Sequence, residues 1–434
     1  MAIAMPVAAS DPSPPKVTLV KHALGASGFV GAKAMVFLAP LFVLRTVGVH
    51  DYGVLEYALA WGTPLAVLFC LGAGGALPFF LLKRGRSRYI DVFRLYGMAA
   101  GLAIIPAAML LLFHVIAFPV YLAALITIIF VLQTIYASAH RAFGSPAMSS
   151  LAESGNYVLI LVFVVVAFLA RRPVTLPAIA IILTIYAGFL SGHSFAHFNW
   201  SVSWRHHWLR TKKVLGFGFP LIATGLLTAV LTSSGRLLAG HFFSMDAVGV
   251  YSFFLRISSA VILIHQLMNT LIFPRVYRSD DRALDKYFSS LMGTIFVVSL
   301  CEFFLSPLIM GPFLPLLRNV HGENRRIFFV FSFQMIFWAG IAMLEIVINR
   351  ENTAKHFVGV LFGSACLLVA AISTLHALNM LTLLRLCQLN MSCIFVCFLA
   401  QTMLLRRRGV RLFFVPALGL LLYTLYIVFN PYVV

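Results

Sequence analysis

The sequence has few charged residues and very few acidic ones. Only 10% of its 434 residues are Asp, Glu, Lys or Arg, and just 13 are acidic. By contrast, 61% are hydrophobic, and the mean hydropathy is +0.98. A soluble globular chain does not have this balance, because it must cover its surface with polar side chains. The composition therefore excludes an ordinary soluble protein and indicates a polytopic membrane protein.

Motifs that carry phosphate, zinc or acyl chemistry are also missing. The sequence has no P-loop, no His-Glu-x-x-His pair and no G-x-S-x-G turn. All six cysteines lie inside apolar segments without metal-ligand spacing, so we interpret them as small buried hydrophobic residues. We therefore expect no metal, no cofactor and no catalytic residue.

A leader peptide and a nucleic-acid surface are not indicated either. The first residues lack a charged region followed by a full apolar run, so we expect a short cytoplasmic tail over residues 1–20. The net charge is +19, but the basic residues form short clusters between apolar segments. This is the distribution of cytoplasmic loops in membrane proteins, and it argues against nucleic acid as a partner.

Thirteen apolar segments are long enough to cross a hydrocarbon core of roughly 30 Å as helices. Their predicted bounds are 24–47, 54–82, 92–116, 119–138, 147–169, 175–196, 214–240, 247–272, 287–310, 327–349, 357–378, 380–404 and 411–429. We predict an all-α polytopic membrane protein built as follows: an N-terminal six-helix lobe (21–198), a basic cytoplasmic linker (199–213), a C-terminal six-helix lobe (214–405), and a basic loop with an extra transmembrane helix (406–434).

The basic residues predict the orientation of the chain. With a cytoplasmic N-terminus, 22 of the 32 Lys and Arg residues fall on the cytoplasmic side and five on the outer side. The excess of Lys and Arg in cytoplasmic loops therefore favours this orientation. No outer loop exceeds about 16 residues, so there is no outer domain in the predicted topology.

The five remaining basic residues lie inside apolar segments: Lys33, Arg45, Arg236, Arg256 and Arg385. An arginine at the centre of a lipid-facing helix costs at least ~2.5 kcal/mol, so such residues face protein, water or an anion. We predict that they line a cationic, substrate-binding cavity between the lobes. Two alternatives stay open, which are snorkelling to the membrane surface and ion pairs with buried acids.

Three other ionisable residues in apolar helices are candidates for coupling to a proton or sodium gradient. They are Glu56, Glu302 and His265, since intramembrane ionisable groups commonly carry ions or protons. The alternative for Glu56 is a structural role, either capping the start of the second helix or pairing with a base.

An internal repeat relates the two halves of the chain. Gly53-Val54 opens the second predicted helix, and Gly249-Val250 opens the eighth. Six helices separate them, so both helices cross in the same sense. We therefore predict parallel repeats about an axis along the membrane normal.

The residues around this repeat resemble a known family. The run R-L-L-A-G-H-F-F-S-M-D-A-V-G-V-Y-S (236–252), followed by an apolar helix and F-P-R (273–275), is similar to helices seven and eight of Wzx-like polysaccharide lipid flippases. These belong to the multidrug/oligosaccharidyl-lipid/polysaccharide (MOP) exporter superfamily, which includes the MATE-like transporters. The Asp51-Tyr52-Gly53 turn also resembles the family's first loop. Gly235 stands where members often carry an acidic residue, and the thirteenth helix departs from the usual twelve.

The resemblance implies a flippase, a transporter without bond chemistry. Its substrate would be a polyprenyl-diphosphate-linked oligosaccharide crossing a bacterial cytoplasmic (inner) membrane by alternating access, for export of O-antigen, capsule or exopolysaccharide. Membrane lipid would surround it, and a glycan polymerase and a chain-length regulator would be partners. The buried bases suit a diphosphate, because cations neutralise it and donate charge-assisted hydrogen bonds.

Two other functions remain open. A membrane-embedded glycosyl polymerase or ligase has a comparable number of helices but needs a long outer loop carrying catalytic Arg or His, which is lacking here. A multidrug exporter of the same superfamily would favour an acidic lumen, whereas the buried charge here is mostly basic.

Overall fold

The computed structural model describes residues 16–83, 89–143, 145–201, 203–276, 279–318, 320–351 and 354–432, and the regular structure in them is helical. The first half contains α1 (Lys16–Val47), α2 (Val49–Phe69), α3 (Ala73–Pro78), α4 (Ile90–Leu102), α5 (Ile104–Leu112), α6 (Phe118–Ala142), α7 (Pro146–Leu169) and α8 (Leu176–Ala196). The second half contains α9 (Trp204–Phe242), α10 (Met245–Val276), α11 (Asp281–Met310), α12 (Pro315–Arg318), α13 (Glu323–Arg350), α14 (Ala354–Ala377), α15 (Leu383–Arg407) and α16 (Phe414–Phe429).

These helices confirm the all-α polytopic fold. In the described part of the chain, eleven spans are long and apolar enough to cross a membrane. The long helices α1 and α9 cover the other two predicted segments. One predicted crossing is built from α2 and α3 and another from α4 and α5, while the short α12 lies in the loop between α11 and α13.

Two helix boundaries differ from the predicted ones. The segment predicted as one helix over 54–82 is broken after Phe69, because Leu71 and Gly72 have φ angles of 54° and 68° and cannot continue a right-handed helix. The predicted basic linker 199–213 is not a separate loop, since α9 already begins at Trp204. Hydropathy does not identify residues 204–213 as helical because several of them are basic. Their backbone nevertheless continues the helix.

Each half of the chain forms a lobe with its own helix contacts. In the first lobe α1 packs against α7 and α2 packs against α6, while in the second α10 packs against α13 and α14 against α15. The lobes meet mainly where α2 contacts α9 and α10, with smaller contributions from α1 against α10 and α3 against α9. Any site between the lobes is therefore bordered by α1, α2, α9 and α10.

The starts of α2 and α10 contact each other reciprocally. A Cβ on Gly53 would lie 1.8 Å from the carbonyl oxygen of Met245, and one on Gly249 would lie 2.4 Å from that of Val49. Only glycine allows so close an approach of the two backbones. Because the first residue of each helix meets the fifth residue of the other, a pseudo-twofold axis passes between them, in agreement with the predicted parallel repeat.

A side-chain pair extends this contact. Nδ1 of His50 lies 3.2 Å from Oδ2 of Asp246, and these are the second residues of α2 and α10. We call this region the outer contact, which comprises Val49, His50, Gly53, Met245, Asp246 and Gly249. It holds the two lobes together at the ends of α2 and α10 that the charge pattern places on the outer side.

The thirteenth predicted helix, α16, is fixed to the second lobe by a buried carboxylate. Asp285, at the start of α11, accepts hydrogen bonds from the backbone N–H groups of Phe413 and Phe414 at 2.8 Å and of Val415 at 2.9 Å. These are the free N–H groups at the start of α16, which a carboxylate satisfies well. The helix packs against α11, α13 and α15 and is thus part of the lobe.

Candidate functional site

Glu56 on α2 stands between two arginines of the other lobe. Its Oε1 accepts a hydrogen bond from Nε of Arg256 on α10 at 2.5 Å, and its Oε2 accepts one from Nη1 of Arg236 on α9 at 3.0 Å. The Glu56 side chain is fully buried, while those of Arg236 and Arg256 are 15% and 14% exposed. One carboxylate therefore joins three helices across the boundary between the lobes.

This cluster lies inside the predicted membrane region. At about 1.5 Å per residue, Glu56 and Arg236 lie roughly 10 Å from the outer ends of α2 and α9, and Arg256 lies roughly 16 Å from the start of α10. At such depths an arginine cannot reach the membrane surface, so pairing with a carboxylate is the arrangement expected of it. The alternative of buried ion pairs is what the structure shows for these two bases.

Arg256 also contacts the first lobe. Its Nη1 lies 3.5 Å from the carbonyl oxygen of Val36 on α1, and its guanidinium lies 5.9 Å from the ring centroid of Tyr157 on α7. An arginine at this distance from an aromatic ring gains cation–π attraction. Arg256 therefore touches three helices of the first lobe, α1, α2 and α7.

A second charged cluster lies about one helical turn away. Nζ of Lys33 on α1 lies 3.3 Å from Oε2 of Glu153 on α7, whose other oxygen accepts a hydrogen bond from Arg141 at the end of α6. Lys33 precedes Val36 by three residues and Glu153 precedes Tyr157 by four, so both clusters lie along the same faces of α1 and α7. Together they form a row of four cations and two carboxylates, which we call the charge track.

Two cavities border the charge track. One of about 370 Å³ is lined by Glu153 together with Thr63, Gln133 and Thr134 of the first lobe and Ile222 of α9. The other, of about 210 Å³, is lined by Arg236 and Arg256 together with Gln334 and Trp338 of the second lobe. Both cavities are lined mainly by apolar side chains, with a few polar ones beside the charged residues between the lobes.

Some polar atoms in this region have no partner among the described residues. Nε of Arg236 and Oε1 of Gln334 are both buried without a hydrogen bond there. Buried donors and acceptors are normally satisfied, so atoms of this kind mark a place where water or a ligand completes the bonding. Both residues line the 210 Å³ cavity, which makes that cavity the best candidate for ligand contact.

The charge track carries a net positive charge. It contains the cations Arg141, Lys33, Arg256 and Arg236 and the carboxylates Glu153 and Glu56. Within this set of six side chains the cations therefore outnumber the carboxylates by two. An anionic ligand with two negative charges would neutralise it.

The structure corrects the expectation of one cavity lined by all five buried bases. It brings Arg236 and Arg256 together, and it places Lys33 in the neighbouring cluster with Glu153. Arg45 lies near the end of α1 with its guanidinium 5.8 Å from the Phe168 ring centroid. Residues at a helix end reach the interface, so Arg45 belongs to the outer surface and not to the charge track.

Arg385 lies elsewhere again. It is the third residue of α15, and its Nη1 donates a hydrogen bond to the carbonyl oxygen of Met380. It borders a separate cavity at the outer end of the second lobe. Arg385 lies apart from the charge track because it is in the first turn of α15, near the end of the membrane region.

The three residues considered for ion coupling are also dispersed. Both carboxylate oxygens of Glu56 are engaged by arginines, which is the structural alternative considered for it. His265 on α10 and Glu302 on α11 lie outside the charge track. Nε2 of His265 and Oε2 of Glu302 are buried, and neither atom has a hydrogen-bond partner among the described residues. These two remain the candidates for coupling.

Sequence reasoning missed part of the charge track. Arg141 and Tyr157 are not among the site residues that the sequence predicts. Glu153 is the signal that the sequence offers for this part of the site. It is an acidic residue inside an apolar segment, and burying its charge in a membrane is costly unless a cation lies beside it. Identifying Arg141 and Lys33 as its partners requires the packing of α1, α6 and α7.

The fold and the site together define a polytopic helical membrane protein with a charged site between two repeated lobes. Residues 106–317, just under half of the chain, match a family model described as "Polysaccharide biosynthesis protein". The match includes Arg236 and Arg256 but not Glu56. Among curated proteins, no match to the chain was found. The similarity supports a role in polysaccharide biosynthesis or export.

Proposed function

We propose that the protein is a flippase that moves a polyprenyl-diphosphate-linked oligosaccharide across the membrane by alternating access. The single observation that supports this most strongly is the charge track between the lobes. The track has two more cations than carboxylates, which suits the two negative charges of a diphosphate diester, and Nε of Arg236, beside the 210 Å³ cavity, has no hydrogen-bond partner among the described residues. The similarity to a family of polysaccharide biosynthesis proteins supports a glycan as part of the substrate.

The mechanism follows from the arrangement of charges. A diphosphate entering the track would replace Glu56 or Glu153 as the partner of one or more cations, and arginine binds phosphate through a planar pair of donors. The hydrophilic glycan would occupy the cavities, while the prenyl tail stays in lipid. Because Glu56 joins the lobes through Arg236 and Arg256, its displacement would loosen the boundary and allow the lobes to move. No covalent bond is made or broken.

Reconstituted vesicles test this function. A polyprenyl-diphosphate glycan with a nitrobenzoxadiazole label on the sugar is incorporated with the purified protein, and dithionite bleaches the label exposed outside. We expect nearly complete bleaching with the protein and about half without it. Vesicles containing an Arg236→Ala, Arg256→Ala double variant serve as the control.

Three results would count against the proposal. Bleaching equal to that of protein-free vesicles would exclude flipping, lengthening of the labelled glycan would indicate a polymerase, and efflux of ethidium without glycan movement would indicate a multidrug exporter. Imposing a proton or sodium gradient on the same vesicles tests coupling. A bleaching rate indifferent to both gradients would remove Glu302 and His265 from the mechanism.

The orientation belongs to the same proposal. With thirteen crossings and a cytoplasmic N-terminus in the bacterial inner membrane, the C-terminus lies outside. We expect alkaline phosphatase fused after residue 434 to be active and green fluorescent protein there to be dark. The opposite pair of signals would place the N-terminus outside and reverse the direction of every helix. A glycan polymerase and a chain-length regulator remain proposed partners.

A further inference from the structure

A third cavity, lined by residues outside the charge track, lies at the end of the second lobe that the charge pattern places on the outer side. It has a volume of about 650 Å³, within the range of about 300–1,000 Å³ typical of ligand clefts. Its polar lining comes from the start of α13, the turn between α14 and α15, and the start of α15, through Glu323, Arg326, Asn379, Thr382, Arg385 and Gln388. None of these residues belongs to the charge track.

The cavity favours a negatively charged group. Arg326 and Arg385 both line it, and the N-termini of α13 and α15 meet at the same place. Each N-terminus adds a partial positive charge of about one half. Nε of Arg326 is buried with no hydrogen-bond partner among the described residues. A ligand atom that accepts a hydrogen bond would satisfy this donor.

The same cavity also offers acceptors, which a site for a simple anion does not need. Glu323 is exposed, and among the described residues one of its oxygens accepts a hydrogen bond, from the backbone N–H of Leu384 at 3.3 Å. Asn379 and Gln388 carry amides that both donate and accept. A carboxylate such as Glu323 would repel an inorganic anion but accepts hydrogen bonds from hydroxyl groups. The lining thus suits a ligand with one negative charge and several hydroxyls.

We propose that this outer cavity binds a saccharide that carries a carboxylate, such as a hexuronic acid residue. Two arginines and one glutamate leave one unbalanced positive charge, which equals the charge of a single carboxylate. The carboxylate lies against Arg326 and Arg385, and the sugar hydroxyls bond to Glu323, Asn379 and Gln388. This inference rests on the proposed function for the source of its ligand, since export would deliver the glycan to the outer face.

Binding to the full-length protein tests the site without any transport step. The protein is placed in nanodiscs of zwitterionic lipid, and saturation-transfer NMR measures binding of D-glucuronate, D-glucose and orthophosphate. We expect glucuronate to bind and glucose to bind more weakly. Arg326→Gln and Arg385→Gln should each weaken glucuronate binding about tenfold, because each removes a charge-assisted hydrogen bond. Arg318→Gln, which replaces an exposed arginine on α12, should leave binding unchanged.

Several outcomes would overturn the proposal. One is no binding of glucuronate, a second is binding that survives both substitutions, and a third is orthophosphate binding as tightly as glucuronate, which would indicate a lipid headgroup or free-phosphate site. Melting curves confirm that the variants are folded. Should Arg326→Gln not fold, the partly exposed Arg385 still provides the test. Glucuronate binding by a protein that flips nothing would refute the flippase alone, and flipping without glucuronate binding would refute only this site.

Discussion

Glu56 is the residue on which the boundary between the lobes depends. Its side chain is fully buried and bonds to Arg236 and Arg256, both only slightly exposed. Removing such charges from water is costly, and the cost is repaid only when every partner is present. Two cations share this one carboxylate, so its loss leaves two charges unpaired, whereas the loss of either arginine leaves one intact pair.

This asymmetry predicts the relative stability of two variants. Glu56→Gln should destabilise the protein by about 3–5 kcal/mol, the usual cost of removing one partner of a buried pair. Arg256→Ala should cost less, because Glu56 keeps Arg236 as its partner at 3.0 Å. Melting temperatures of the two purified variants in the same detergent provide the comparison. A lower melting temperature for Arg256→Ala than for Glu56→Gln would show that the carboxylate is not the centre of the cluster.

Transport should depend on Arg256 more than on any other single base. Arg256→Ala should insert and express at nearly the normal level, while flipping of the labelled diphosphate glycan falls at least about tenfold. Arg256→Lys should keep part of the activity, since a point charge attracts phosphate but lacks the paired donors. Arg172→Ala, at an exposed outer position, serves as the control. Full activity of Arg256→Ala would exclude the charge track as the phosphate site.

Gly235 stands where the similar flippases often carry an acidic residue, and its surroundings leave no room for one. A Cβ at this position would lie 1.8 Å from the hydroxyl oxygen of Tyr251 and 2.6 Å from Nδ2 of Asn390. These two side chains are themselves bonded at 2.7 Å. An acidic side chain therefore does not fit beside Arg236, and the arginine is paired from the other lobe by Glu56.

At the scale of helices, the sequence predicted the all-α fold and the approximate positions of the apolar helices well. Apolar runs of about 20 residues can only be membrane helices, whatever their neighbours are. The internal boundaries were predicted less well. The break at Leu71 and Gly72 depends on two left-handed residues in an unbroken apolar run, and the early start of α9 depends on hydrogen bonds that hydropathy does not measure.

The candidate site was predictable only in part, for a physical reason. The cost of burying a base identified Lys33, Arg236 and Arg256, because that cost is a property of one residue and its depth. Their partners lie 120, 180 and 200 positions away in the sequence. Pairing at such separations depends on how helices pack and on which faces they present, which no local pattern contains.

The anchoring of α16 gives a prediction for a single helix. Asp285→Asn replaces one of the two oxygens that accept from Phe413, Phe414 and Val415 by an amide nitrogen, leaving at least one N–H unsatisfied. The loss should cost about 1–3 kcal/mol and loosen the start of α16. Trypsin should then cut faster at Arg406–Arg408. Asp280→Asn, at an exposed neighbouring position, is the matched control. Equal cleavage of both variants would mean that packing alone holds the helix.

At the scale of the whole molecule, the outer contact bears on the alternating access that we propose. The outer contact holds the lobes together at the starts of α2 and α10, where His50 and Asp246 meet. Both side chains are more than half exposed, so this pair contributes little energy. Because the outer contact is weak, a ligand that binds more tightly to a conformation with separated lobes can open it.

If alternating access operates, the outer contact must separate in every cycle. Cysteines at positions 50 and 246, in a chain whose exposed Cys301 and Cys366 are replaced by serine, should react with a short reducible thiosulfonate cross-linker. Flipping of the labelled glycan should then stop, because the two lobes can no longer part on the outer side, and a reductant should restore it. His50→Cys alone, treated in the same way, should remain active. A cross-linked protein that flips at the unmodified rate would mean that the glycan leaves without separation of α2 from α10, and the proposed motion of the lobes would have to be abandoned.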